Sequence, residues 1–276
     1  MYSPKDYWTN LANSYDKGDV SALAPILHPQ APAWFNHAID NLQFRALKRA
    51  LSIAEISPGS RILDVGCGTG RWLRRFGELG FSPIGVDATF GMLSIARSHR
   101  TTAPLAVGLA SSLPFTDAAF DGVTDITVVQ HIPYELQLKA LQEMVRVLRP
   151  GGRMILVELI RGKGSHIFPR PPLEWIREAE SCGTNLINYF GHEFFFPDRL
   201  FASLAQTFSA RSSRGVNPVQ SSKPGCGFHK QSVSRRIYWQ LRRLTVPFSA
   251  WTDPIVATIC PLAMATHAVF VFRKKL

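Results

Sequence analysis

Cysteine is scarce in this 276-residue chain: Cys67, Cys182, Cys226 and Cys260 are widely separated and form no C-x-x-C pair. That spacing excludes a zinc ribbon or a disulfide-stapled miniprotein and fits reduced thiols in a cytoplasmic protein. Long apolar runs are missing too. The most apolar late stretch, 254–272, is broken by Pro261 and His267 and preceded by Asp253, which makes it a poor membrane span. No basic stretch followed by an apolar run opens the chain, which argues against a secretory signal. No low-complexity tract or fixed-period repeat is present, and this excludes solenoids. Acidic residues almost vanish late in the chain: residues 201–276 hold 11 basic and 1 acidic residue, so +10 of the formal +11 resides there. The rest of the chain is nearly neutral.

What is present is an ordinary globular balance, 46% hydrophobic and 18% charged, enough for one large core with insertions. Short apolar runs alternate with helical patterns through the middle. Strands are expected at RILDVG (61–66), SPIGVD (82–87), PLAVGL (104–109), FDGVTDI (120–126) and RMILVEL (153–159). Helices are expected at 69–79, 90–98 and 134–148. The last carries Leu138, Leu141, Val145 and Leu148 on one face, and Pro150-Gly151-Gly152 turns the chain into the next strand. Flanking helices are expected at 37–54, 173–182 and 197–207, an outer strand at 208–216 and a closing strand at 267–275. Strands alternating with helices imply parallel pairing in a doubly wound sheet.

The most informative stretch is RILDVGCGTG, where an apolar strand ends in Asp64 and runs into Gly66, Gly68 and Gly70. Glycines there let the backbone bend and approach a ligand closely, and free N–H groups at the next helix start suit a polar group. A dinucleotide fingerprint needs its third glycine at position 71, which is Arg71, so this is another kind of loop. Asp87, 23 residues beyond Asp64, closes the next strand, where a doubly wound fold places a ribose-binding carboxylate.

Together with Leu113-Pro114-Phe115, the strand start at Phe120-Asp121 and LQEMVRVLRPGGR, this block resembles the class I S-adenosylmethionine-dependent methyltransferases, in the branch of ubiquinone/menaquinone-biosynthesis-type and other small-molecule enzymes. The resemblance implies an α/β fold with a doubly wound, seven-stranded, mostly parallel sheet. It also implies insertions after strand 5 and between strands 6 and 7. Three parts are expected: an N-terminal helical lid (1–57), a cofactor-binding core (58–160), and substrate-cap insertions with the last strands of the same sheet (161–276). S-adenosylmethionine is the implied cofactor, with S-adenosylhomocysteine as product. Its methionine end would lie against Gly66, Cys67 and Gly68, oriented by Asp64 and touched by Thr127. Asp87 would hold the ribose hydroxyls, bordered by Ala88 and Met92. Tyr7-Trp8 and Tyr15-Asp16 match an N-terminal pattern whose helix closes over the cofactor. The acid that usually accepts the adenine amino proton is replaced by Leu109, followed by Ala110, and Ser111 or a backbone carbonyl stands in its place.

A sulfonium methyl group is already activated, so alignment and desolvation dominate, and a base is needed only if the acceptor must lose a proton. His131, directly after the fourth strand, is the candidate base, or else packs beside the cofactor. His166, Trp175, Tyr189 and His192 are candidates for the acceptor pocket, with Glu158, Glu193 and Phe194 to Phe196 as further ones; each has a core or capping role as its alternative. If 233–244 is helical, Arg235, Arg236, Arg242 and Arg243 share one sector, suited to an anionic membrane or phosphate-bearing substrate, or simply solvated. No paired carboxylates or histidine cluster falls in the expected crevice, so no metal is expected. The expected activity is methyl transfer to a small-molecule acceptor, most naturally an oxygen of a natural product, sugar or lipid-linked compound. The alternatives are a nucleic-acid methyltransferase using the basic region, for which no N/D-P-P-Y/F tetrad is present, and a non-catalytic cofactor-binding module. A cytoplasmic chain, with peripheral membrane contact at most, completes the expectation.

Overall fold

The computed structural model describes residues 2–15, 26–28, 31–162, 164–193 and 265–276, with positions 23, 239–240, 242–243, 245–247, 251–252, 255 and 262 between them. The described elements run α1 (Pro4–Asn13), α2 (Ala33–Ala54), β1 (Arg61–Val65), α3 (Arg71–Glu78), β2 (Ser82–Asp87), α4 (Phe90–Ser98), β3 (Leu105–Val107) and β4 (Phe120–Ile126). A 3₁₀ turn (Val129–His131), α5 (Tyr134–Val147), β5 (Leu148–Leu159), α6 (Pro172–Ser181), β6 (Thr184–His192) and β7 (His267–Lys274) complete them.

The seven strands form one sheet in the order β3-β2-β1-β4-β5-β7-β6. All described neighbours pair in parallel except β7, which is antiparallel to both β5 and β6. The order reverses between β1 and β4, and in such sheets ligands bind beyond the carboxyl ends of the strands at that switch point. Alternation along the strands feeds two cores. Leu63, Met154, Leu156, Phe270 and Phe272 face one side and pack with Leu141, Met144 and Trp175 of α5 and α6. Ile62, Ile155, Val157, Val269 and Val271 face the other and pack with Leu47, Ala50, Leu51 and Phe76 of α2 and α3. Period-two burial on both faces makes the central strands read as continuous apolar runs.

The sequence places β2, α4 and β4 at their observed bounds and β1, α3 and α5 within two residues. In α5 the buried face is Leu141, Met144 and Val145, while Leu138 is exposed, so the apolar stripe is rotated from the expected one. β6 (TNLINYFGH) is a strand the sequence reading did not include, while the outer strand expected at 208–216 and the helix expected at 197–207 lie outside the described residues. α6 joins β5 to β6, and residues 193–266 lie between β6 and β7. Among the described residues no helix is long and apolar enough to cross a membrane.

Candidate functional site

The site is built where three strands end. At the tip of β1 the chain enters the left-handed region at Gly66 (φ 67°) and again at Gly68 (φ 51°). A Cβ on Gly66 would stand 2.5 Å from Cγ2 of Val128, so only glycine lets this loop lie against the end of β4. The Cys67 side chain turns inward to pack with Leu73 and Leu93, where burial pushes its thiol well above the ordinary range. Its thiol is inert, and the backbone is what this position presents.

At the tip of β2, Asp87 ties the loops together: Oδ2 accepts from the Gly68 amide (2.9 Å) and Oδ1 from the Thr89 amide (2.8 Å). Burial raises its carboxyl to about 6, against the lowering effect of those two amides. At the tip of β4, Thr127 takes a left-handed conformation (φ 63°) costly for a β-branched residue, held by a 2.8 Å hydrogen bond from its amide to the Val157 carbonyl. Next to it, Glu158 is fully buried and accepts from the amides of Val128, Val129 and Gln130. It is the clamp of the loop that carries His131, not an acceptor ligand as the sequence allowed.

These tips enclose a cavity of about 370 Å³ whose wall includes Gly66, Cys67, Gly68, Asp87, Ala88, Met92, Leu109, Ala110 and Thr127. Nine of the eleven positions expected around a cofactor therefore meet. Two do not. Asp64 lies beneath the wall, 1% exposed, accepting from the Thr124 hydroxyl (2.9 Å), and burial raises its carboxyl to about 7. Tyr15 turns away to contact Nε2 of His99 (2.6 Å) at the end of α4. The N-terminal wall of the cavity comes from Ser3, Pro4, Lys5 and Trp8 at the start of α1, and of these Trp8 belongs to the expected N-terminal pattern. α1 packs on α4 closely enough that a Cβ on Gly91 would meet Ala12 at 2.9 Å.

A second cavity of about 810 Å³ adjoins the first, the two sharing Trp8, Ile26, Thr127 and His131 as walls. Its lining is aromatic and polar. Tyr7 stacks on His166 (4.7 Å), His166 stacks on His131 (5.5 Å) and Trp8 meets the His131 ring edge-on (5.1 Å). Farther in stand Phe35, Trp239, His28, Arg242, Glu193 and His267.

His131 thus sits at the junction, yet its ring is occupied: Nδ1 lies 2.9 Å from the His166 carbonyl and Nε2 lies 3.3 Å from the Gln130 amide nitrogen. Burial lowers its pKa to about 4, so the imidazole is neutral at pH 7 and a poor proton acceptor. The other acceptor candidates divide. His166 lines the second cavity. His192 is buried at the end of β6, beside the lining residue Glu193. Trp175 is fully buried in the α5–α6 core with its indole N–H toward the Leu159 carbonyl, and Tyr189 is exposed on β6 against Phe270; both are corrections to a pocket role. Phe194 to Phe196, Arg235 and Arg236 lie outside the described residues. Arg243 is exposed, but Arg242 lies over the rings of Phe35 (4.5 Å) and Trp239 (5.6 Å) and faces the chamber, so it is not part of an outward basic face.

A doubly wound sheet with an antiparallel seventh strand, a glycine turn after β1 and a carboxylate after β2 defines the class I methyltransferase fold. Residues 63–156 match the family described as Methyltransferase domain. The chain is similar to demethylmenaquinone methyltransferase of Renibacterium salmoninarum, 36% identical over 101 residues, 37% of this chain and 42% of that protein. It is also similar to a human protein named Probable tRNA methyltransferase 9B, 36% identical over 129 residues, 46% of this chain and 28% of that protein. Among solved structures, phosphoethanolamine N-methyltransferase 2 of Haemonchus contortus in complex with S-adenosyl-L-methionine shares the fold at TM-score 0.55 and 18% identity, over 100% of this chain and 61% of that one. The chain spans less than half the length of these two sequence relatives. Residues 63–156 thus match a methyltransferase domain, set within a class I methyltransferase fold.

Proposed function

We propose that the protein transfers a methyl group from S-adenosylmethionine to a small molecule held in the aromatic chamber. The observation that supports this reading most directly is the junction of two cavities at Thr127 and His131: one bounded by the glycine turn and Asp87, the other by stacked rings. The residues fit the cofactor. The Gly66 cradle excludes any Cβ, the carboxylate of Asp87 forms part of the wall, and about 370 Å³ falls within the range of small-ligand sites.

When bound, the cofactor supplies a sulfonium-activated methyl group for in-line displacement. The chain supplies position and dryness. Asp87 would accept hydrogen bonds from the ribose hydroxyls, Gly66 and Gly68 would present backbone to the methionine end, and Leu109 to Ser111 would border the base. Trp8 and the rest of α1 would exclude water from above. Thr127, fixed in its strained conformation, and His131 would form the rim across which the acceptor meets the methyl group. With its nitrogens occupied, His131 orients by shape rather than by taking a proton. An acceptor oxygen of a natural product, sugar or lipid-linked compound suits a chamber that offers both aromatic faces and buried polar groups.

Incubation of the protein with labelled S-adenosylmethionine and either a deproteinised small-molecule extract or total RNA separates the acceptor classes. Label is expected in the small-molecule fraction. Label confined to RNA would contradict the proposal and favour the nucleic-acid reading, which the tRNA methyltransferase relative and the basic late region support.

A further inference from the structure

The antiparallel pairing of β6 and β7 sets His192 directly opposite His267, residues 75 positions apart that share one face of the sheet. Glu193 follows at once in a left-handed conformation (φ 58°), which a glutamate adopts only at a cost that the surroundings must hold. One ligand atom from each of the three lies within 4.8 Å of the others.

Three features make this more than a buried ion pair. His192 is 4% exposed, and neither ring nitrogen has a hydrogen-bond partner, an unusual state for a buried imidazole. Nδ1 of His267 stands 2.8 Å from Oε2 of Glu193 and Nδ1 of His192 stands 3.8 Å from its Oε1, so both imidazoles converge on one carboxylate. The Glu193 carboxylate is also braced from behind: Oε1 accepts from Nε2 of Gln43 (3.0 Å), whose Oε1 accepts from Arg71 (2.8 Å), itself paired with Asp40 (3.1 Å). That braced arrangement is what metal ligands require, since outer partners fix the orientation of the donors.

We propose that His192, Glu193 and His267 form a binding site for one divalent transition ion of the zinc class. Two imidazoles and one carboxylate suit a borderline ion, and three protein ligands leave a coordination position open. Glu193 and His267 both line the second cavity, so that position faces the chamber. There the ion would ligate an oxygen of the occupant. The site stands independently of methyl transfer, because metal binding is measured without cofactor or acceptor. It also overturns the sequence expectation that no histidine cluster falls near the crevice: the pair exists only through strand pairing.

The test uses the full chain without a histidine tag, stripped with EDTA and titrated with Zn²⁺ by calorimetry, with the visible spectrum of added Co²⁺ as a second readout. One equivalent is expected to bind and to raise the melting temperature. His267→Ala and Glu193→Gln are expected to lose binding by more than about 100-fold, and Gln43→Ala by about 10- to 100-fold. A wild-type circular dichroism spectrum and a cooperative thermal transition of the metal-free protein report that each variant is folded. Glu193→Gln keeps the side-chain size, and so the test does not depend on His192→Ala folding. Absence of saturable binding to the wild type would overturn the proposal. So would binding of equal strength in His267→Ala and Glu193→Gln, as cysteine thiols would give.

Discussion

Gly66 and Asp87 are central to the proposed cofactor site, and each makes a separate prediction. Alanine at Gly66 would place a methyl group 2.5 Å from Val128 at φ 67°. The left-handed strain costs about 1–2 kcal/mol and overpacking about 1–3 kcal/mol more, so Gly66→Ala is expected to lower the melting temperature and weaken S-adenosylhomocysteine binding together. Asp87→Ala is expected to lose about 1.5–3 kcal/mol of affinity, the contribution of hydrogen bonds to a charged group. The acidity of this carboxyl gives the sign of a pH effect. Burial raises it to about 6, and the ribose hydroxyls donate more strongly to the ionised form, so affinity is full above that value and falls as pH drops through it. Titration calorimetry at pH 5 should show about a tenfold weaker complex than at pH 7. At His131 an NMR titration of the ring is expected to find a midpoint near 4; a midpoint in the ordinary range near 6.5 would restore it as a general base. Asp87 and the glycines were legible in the sequence because a turn and a strand-end carboxylate have local spacing. The buried fate of Asp64 and the occupied nitrogens of His131 were not, because both depend on partners far along the chain.

Elements with a regular burial pattern were read correctly. β4 (FDGVTDI) is buried along nearly its whole length and α4 sets buried Met92, Leu93, Ile95 and Ala96 against exposed Ser94 and Arg97, and their bounds agree with the sequence. β6 escaped because it is an edge strand: the run Asn185 to Tyr189 is exposed or half-exposed, and its polar residues interrupt the apolar pattern. The same misreading sent Trp175 and Tyr189 to the acceptor pocket. An aromatic after a strand carries no mark of whether it turns into the core, and α6 turns Trp175 fully inward. Trp175→Ala is therefore expected to cost about 3–5 kcal/mol of stability, read by denaturant unfolding, while the folded fraction binds S-adenosylhomocysteine as wild type does. A change in acceptor affinity without loss of stability would return Trp175 to the pocket.

On the scale of the molecule, the Rossmann-like sheet supplies one cavity at its switch point, and the N-terminal helix with the insertion between β6 and β7 adds the second. The formal charge of +11 is concentrated beyond residue 200, and Arg242 of the expected arginine face turns toward the chamber. The central claim, that the cavity between the glycine turn and Asp87 holds S-adenosylmethionine, is tested most directly by titrating S-adenosylhomocysteine into the wild-type protein and the Asp87→Ala variant. One equivalent binding to the wild type, weakened about 10- to 150-fold in the variant, is the predicted result. No binding to the folded wild type, or equal binding to both proteins, would contradict it.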